Sequence, residues 1–258
     1  MSDATVRFEI DGAIARVTFD RPQARNAMTW AMYGELSSLC DQLAENKNVR
    51  CVVFRGAGGE AFVAGTDIEQ FLAFKTGDDG VDYETQIEAC LAKMESLPMP
   101  TLAVIEGWCV GGGLALATAC DIRIATPASQ FGVPIARTLG NCLSVANVAR
   151  LIAVFGKPRV QRILLGAEIL DADEARTCGF LAEIADAQQI DAAANKRAQQ
   201  LAALAPVTQA VSKEAIRRLL VHSLPDGDDL IRRAYGSEDF REGVAAFTGK
   251  RSARWRGR

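Results

Sequence analysis

Residues 107–125, GWCVGGGLALATACDIRIA, place three consecutive glycines between a strand-like run and an apolar helix-like run. Glycine costs roughly 0.8–1 kcal/mol per helical position relative to alanine. Gly111-Gly112-Gly113 at a helix start is therefore a stability loss that some other gain must offset. A helix N-terminus carries orphan N–H groups and the positive end of the macrodipole. Glycine there lets a ligand approach the main chain without meeting a Cβ. Such a terminus suits an oxygen carrying negative charge. Phosphate is a poor match, because WCV and LALA supply no lysine or threonine of P-loop type. An enolate or thioester oxyanion fits better, since it needs one or two aimed donors in a dry pocket. Close packing of helix on strand would demand the same residues, and this stretch alone does not separate the two readings.

The rest of the chain gives the glycines a setting. VRFEIDGAIARVTFD alternates about Asp11-Gly12 and predicts a β-hairpin. MTWAMYGELSSLCDQLAEN has helical periodicity with Thr29 as N-cap. VRCVVFRG, TLAVIEG and DIRIA read as strands, and a helix through DYETQIEACLAKMESL stops at Pro98 and Pro100. From about residue 143 the pattern turns helical: LSVANVARLIAVFG, then KPRVQRILLG with Pro158 near a first turn. DADEARTCG follows, with Asp171 and Glu174 at capping-box spacing and Gly179 as a C-cap. Strand-rich ββα units in front and helices behind predict an α/β fold, with a core over residues 1–195 and a helical region over 196–258.

Composition removes several classes of function. The 258 residues are 49% hydrophobic, enough for a substantial core, and carry a net charge of −3. The basic tail GKRSARWRGR reads as a solvated terminus or subunit contact, and nucleic-acid binding is not expected. Seven cysteines, an odd number without a C-x-x-C pair, indicate a reduced compartment and buried thiols. No signal-like opening and no apolar run of about 18 residues occurs, so a soluble, cytoplasmic protein without a membrane partner is expected. The single histidine, His222, falls at a helix end and reads as a capping residue. A histidine-based metal site is not expected, and proton chemistry falls to Asp, Glu, Tyr, Lys or Cys. Gly56, Gly58 and Ala61 have dinucleotide-loop spacing, but GGEAFVAG does not open a helix, so the loop reads as a surface turn.

A second loop favours the oxyanion reading. AFVAGTD, residues 61–67, also follows a strand and sets a glycine before a polar residue, so two loops with exposed amides could supply two donors. Together RPQARNAMTWAMYG at 21–34, AFVAGTDIEQF at 61–71, residues 105–125 and SQFGVPIARTLG resemble the crotonase (enoyl-CoA hydratase/isomerase) superfamily. The tail SEDFREGVAAFTGKR is similar to that family's final helix. The resemblance implies a crotonase-like spiral of ββα units with a C-terminal helical trimerisation region. It implies an acyl-CoA thioester as ligand, coenzyme A entering only as part of the substrate with no separate cofactor, and a homotrimer or hexamer. Position by position, it places the oxyanion hole on the backbone N–H groups of Thr66 and Gly112, with the Thr66 side chain dispensable. Ala24, Arg25, Ala64, Asp67, Ile68 and Gly111 fall where the family binds substrate.

The same resemblance exposes a gap. The family's hydratases carry two glutamates, and the matching positions here are Ala115 and Ile135, or Ala136 in a shifted register. General acid–base groups contribute roughly 10²–10⁴-fold each, so ordinary hydration should be disabled. Arg137, Thr138, Asn141, Cys142 and Ser144 lie nearby in sequence, yet none is a good base. Asp67 and Asp121 read as a helix cap and a strand-start partner, and Glu106 and Tyr83 lie outside the motifs. No base is identified. Three classes stay open: a hydratase or isomerase with an unplaced base, a decarboxylase or other enolate chemistry, and a non-catalytic acyl-CoA-binding subunit.

Overall fold

Alternation at the N-terminus produces the hairpin it predicts: β1 (Thr5–Asp11) and β2 (Ile14–Asp20) pair antiparallel around Gly12, whose φ is 58°. The computed structural model describes residues 5–257 apart from 222, 223 and 225. The helix-end histidine expected at 222 lies outside the described residues. Thr29 caps α1 (Trp30–Glu45) by accepting from the Met32 N–H. β3 (Cys51–Gly56) and β4 (Ala61–Val63) lead to α2 (Gly77–Ser96). β5 (Thr101–Ile105) and β6 (Trp108–Val110) lead to α3 (Gly112–Ala119). β7 (Ile122–Ala125) and β8 (Gln130–Gly132) lead to α4 (Ile135–Thr138).

Each of these three turns runs a strand of a six-stranded sheet, a short strand of a four-stranded sheet, then a helix. The sheet orders are β1-β2-β3-β5-β7-β10 and β4-β6-β8-β9. A single bridge between Met28 and Thr66 lets the first turn, β2 to α1, follow the same path. The parallel inner strands are buried on both faces, as covered parallel sheets require. Val52, Phe54, Ala103 and Ile105 join the main core, while Cys51, Val53, Leu102 and Val104 face a second one.

The remainder is largely helical: α5 (Val145–Leu165), β9 (Ile169–Asp171), α6 (Ala172–Thr177), β10 (Glu183–Ile184), α7 (Ile190–Ala202), α8 (Pro206–Val221), α9 (Asp228–Tyr235) and α10 (Glu238–Thr248). The boundary expected near residue 195 falls within α7, whose Ile190, Ala194 and Ala198 pack as one face on the second core. α5 passes through a kink at Gly156 (φ 73°), which separates the two expected helices. Asp171 caps α6, but the Glu174 carboxylate pairs with Arg162 and Arg159 instead of completing a capping box. α2 starts at Gly77, five residues before the expected stretch, where Asp79 accepts from the Lys75 and Thr76 N–H groups.

All seven cysteines are free, and burial pushes the Cys40, Cys51, Cys90 and Cys120 thiols up to about 12. The loop after β3 continues into a strand, not a helix, so the dinucleotide spacing is incidental. The basic tail folds back onto α10: Arg251 pairs with Glu242, and the Arg256 and Gly257 N–H groups donate to Asp239. No helix among the described residues is long and apolar enough to cross a membrane.

Candidate active site

The three glycines have three different causes. Gly111 takes φ 55° and ψ −124°, a backbone conformation that a side chain resists. A Cβ on Gly113 would lie 1.9 Å from the Val63 carbonyl oxygen, so this glycine serves the packing of α3 on β4. Gly112 faces the second loop: its Cβ would lie 3.6 Å from the Thr66 nitrogen and 2.7 Å from the Tyr33 hydroxyl. Packing accounts for Gly113, backbone conformation for Gly111, and Gly112 lies against the Thr66 loop.

Thr66 is held in place from three sides. The Met28 N–H donates to the Gly65 carbonyl and the Asp67 N–H donates to the Met28 carbonyl, each across the bridge beside β4. This pattern leaves the Thr66 N–H out of the ladder. Neither it nor the Gly112 N–H has a protein acceptor among the described residues. The Thr66 hydroxyl lies 2.9 Å from both the Tyr33 and Tyr83 hydroxyls. The side chain expected to be dispensable is thus the centre of a buried hydroxyl cluster, and Thr66→Ala would strand two phenols. Tyr83, outside the sequence motifs, belongs to the site.

The two amides open onto a cavity of about 170 Å³ lined by Thr66, Gly112, Tyr83, Glu84, Ala115 and Ile135, among others. It is largely apolar and contains no lysine, arginine or histidine among the described residues. A groove of about 740 Å³ shares Ala64, Thr66, Ile68 and Phe247 with the cavity, and extends along Ala24, Arg25 and Asp67. Six expected binding positions thus lie along one path: Ala24, Arg25 and Asp67 in the groove, Gly111 in the cavity, Ala64 and Ile68 in both. Asn26 secures the outer wall. Fully buried, it donates to the Ala57 and Ala61 carbonyls and accepts from the Arg21 N–H.

Asp67 and Asp121 have the plain roles expected. Asp67 accepts from the Glu69 N–H and pairs with Arg21 at 2.8 Å. Asp121 accepts from the Thr101 N–H and hydroxyl and from Lys213. Glu106 is tied to Arg55 away from the cavity. Arg137 is exposed, Cys142 packs with the aromatic cluster under α9, and Ser144 caps α5, while Thr138 and Asn141 do reach the cavity. The residue that sequence reasoning missed is Glu84. It is 4% exposed, and burial pushes its carboxyl up to about 7. Its one sequence signal is an acid on the apolar face of α2, beside Ile87 and Leu91.

Residues 9–258 match the family model described as enoyl-CoA hydratase/isomerase. The chain belongs to this family. Bacillus subtilis YngF, named for the same activities, is 32% identical with 95% of each chain covered. A crystal structure of an enoyl-CoA hydratase/carnithine racemase from Magnetospirillum magneticum superposes with a TM-score of 0.81. It is 31% identical, over 100% of this chain and 97% of that one. Methylmalonyl-CoA decarboxylase complexed with 2S-carboxypropyl-CoA has a TM-score of 0.89 at 24% identity, covering 100% of both chains. The fold is that of the crotonases. Within this enoyl-CoA hydratase/isomerase family member, Ala115 and Ile135 both line the cavity, whereas Ala136 is exposed and does not.

Proposed function

We propose that this protein binds a short acyl-CoA thioester and stabilises the enolate formed from it. The observation that carries this reading is the pair of unengaged amides, Thr66 and Gly112, facing a largely apolar cavity. A thioester oxygen placed between them receives two donors, and each such donor is worth about 2.7–4 kcal/mol once the oxygen gains charge. The groove past Arg25 and Asp67 accommodates the coenzyme, and the volume of about 170 Å³ suits an acyl chain of a few carbons.

The acyl end supports enolate chemistry without ordinary hydration. Ala115 and Ile135 hold no group that could activate water or deliver a proton. Decarboxylation of a malonyl-type thioester fits less well, because no cation among the described residues lines the cavity to hold the substrate carboxylate and a buried carboxyl already occupies it. Calorimetric titration should show butyryl-CoA binding at least tenfold tighter than free coenzyme A. Crotonyl-CoA hydration should be slow or absent. Turnover of crotonyl-CoA at hundreds per second, or carbon dioxide release from a malonyl-type thioester, would contradict this reading.

A further inference from the structure

The backbone hole leaves one buried carboxyl of the cavity without a task. Glu84 is held there by neutral donors alone. Its Oε1 accepts from the Tyr235 hydroxyl at 2.9 Å and its Oε2 from the Ser144 N–H at 2.9 Å. Tyr235 accepts in turn from Asn141 Nδ2 at 3.1 Å, leaving Asn141 Oδ1 buried with no partner at the cavity. Tyr235 comes this close because Gly80, one turn before Glu84, has no side chain. A Cβ there would lie 2.3 Å from the tyrosine Cγ. Two elements distant in sequence, α2 and α9, are thus packed to aim one hydroxyl at one carboxyl.

Burying a carboxyl without a cation is costly in a fold that could have used an apolar residue. Desolvation lifts the Glu84 carboxyl to about 7, although the Ser144 and Tyr235 hydrogen bonds pull the other way. The titratable groups facing it are Tyr83 and Glu88 on α2, Tyr33 on α1, Tyr235 on α9 and Cys142 before α5. Burial pushes the phenols and the thiol upward, so they stay neutral near pH 7. Glu88 is engaged by Arg150. A carboxyl that exchanges its proton near neutrality, beside an oxyanion hole, is matched to general acid–base work.

Resting on the acyl-thioester reading above, we propose that Glu84 is the proton-transfer residue of this site and that its reaction is a 1,3-proton shift on a short enoyl thioester. The Glu84 carboxylate takes a proton from the α carbon of a β,γ-enoyl thioester. The C–H electron pair moves into the bond between the carbonyl carbon and the α carbon, the C=O π pair moves onto the thioester oxygen against Thr66 and Gly112, and the β,γ double bond stays conjugated with the resulting dienolate. The neutral carboxyl then returns the proton to the γ carbon, giving the α,β-enoyl thioester and restoring the carboxylate. One carboxyl suffices, and no co-reactant is consumed. Hydration would need an activated water as well, which Ala115 and Ile135 cannot supply. Tyr235 and the Ser144 N–H are positioning groups.

The test is conversion of 3-butenoyl-CoA to crotonyl-CoA by the full-length protein across pH 5–9, with binding measured separately. Wild-type protein should isomerise it, with a base-limb midpoint near the Glu84 value of about 7. Glu84→Gln should lose about 10²–10⁴-fold in kcat, while its affinity for butyryl-CoA changes little. Tyr235→Phe keeps the carboxyl but removes a donor to its charged form, so the midpoint should move upward. Wild-type rates in a folded Glu84→Gln protein would overturn the proposal, as would an unmoved midpoint in Tyr235→Phe. Binding of butyryl-CoA without any isomerisation would overturn the role of Glu84 alone. Failure to bind it would remove the reading beneath as well.

Discussion

Glu84 carries a stability signature independent of any substrate. Its folded-state value of about 7 lies above the ordinary 4.5, so between these limits the native protein holds a proton that the unfolded chain has released. The associated stabilisation is fully present below pH 4.5 and is lost as pH rises through about 7. Glu84→Gln cannot ionise. Denaturant unfolding at pH 4.5 and pH 8 should show the balance shifting toward the variant by up to about 3 kcal/mol; a difference independent of pH would contradict the buried carboxyl. The sequence did not reveal this residue because helical periodicity marks which face is buried, not what it is buried against. The loops that carry Thr66 and Gly112 were legible for the opposite reason, and the resemblance singled out these two residues within them. A backbone donor at a strand-to-helix loop needs glycine beside it, and glycine is conspicuous in a sequence.

Elements were legible in proportion to their length. Hairpin, α1 and the inner strands each span enough residues for a period to register, whereas β6 is three residues, WCV, between two glycines. Yet β6 joins β4 to β8 and thereby sets Gly111 beside Gly65. The start of α2 was also obscured, because Gly77 and Gly80 weaken helical propensity locally. Their absent side chains admit Arg232 and Tyr235 of α9, a cause that lies 155 residues away in the chain. The outer wall of the groove depends on Asn26, which takes φ 58° and whose side chain ties the 21–27 loop at Arg21 to the Ala57 and Ala61 carbonyls through three hydrogen bonds. Asn26→Ala should cost about 2–4 kcal/mol of stability, read by thermal or denaturant melting. It should also weaken butyryl-CoA binding about tenfold, at about 1.4 kcal/mol per factor of ten. Unchanged binding would show that the loop does not hold the coenzyme.

At the scale of the whole molecule, α8 is incompletely covered. Val207, Val211, Ile216 and Leu219 on it are 60–84% exposed, four large apolar side chains left to solvent on one helix. We propose that copies of this chain cover it, as the resemblance implies. Sedimentation should then give a trimer of about 83 kDa from the 27.7 kDa chain, or its dimer, and a stable monomer at micromolar concentration would contradict it. Within each copy, the proposed function has the main-chain amides of Thr66 and Gly112 polarise a thioester carbonyl. Vibrational difference spectroscopy of butyryl-CoA labelled with carbon-13 at its carbonyl tests it most directly. On binding to the wild type, and to Thr66→Ser, the carbonyl stretch should move to lower frequency; with Thr66→Pro, which removes the N–H, most of that shift should vanish. An unshifted carbonyl in the wild-type complex, or an equal shift in the proline variant, would contradict the account.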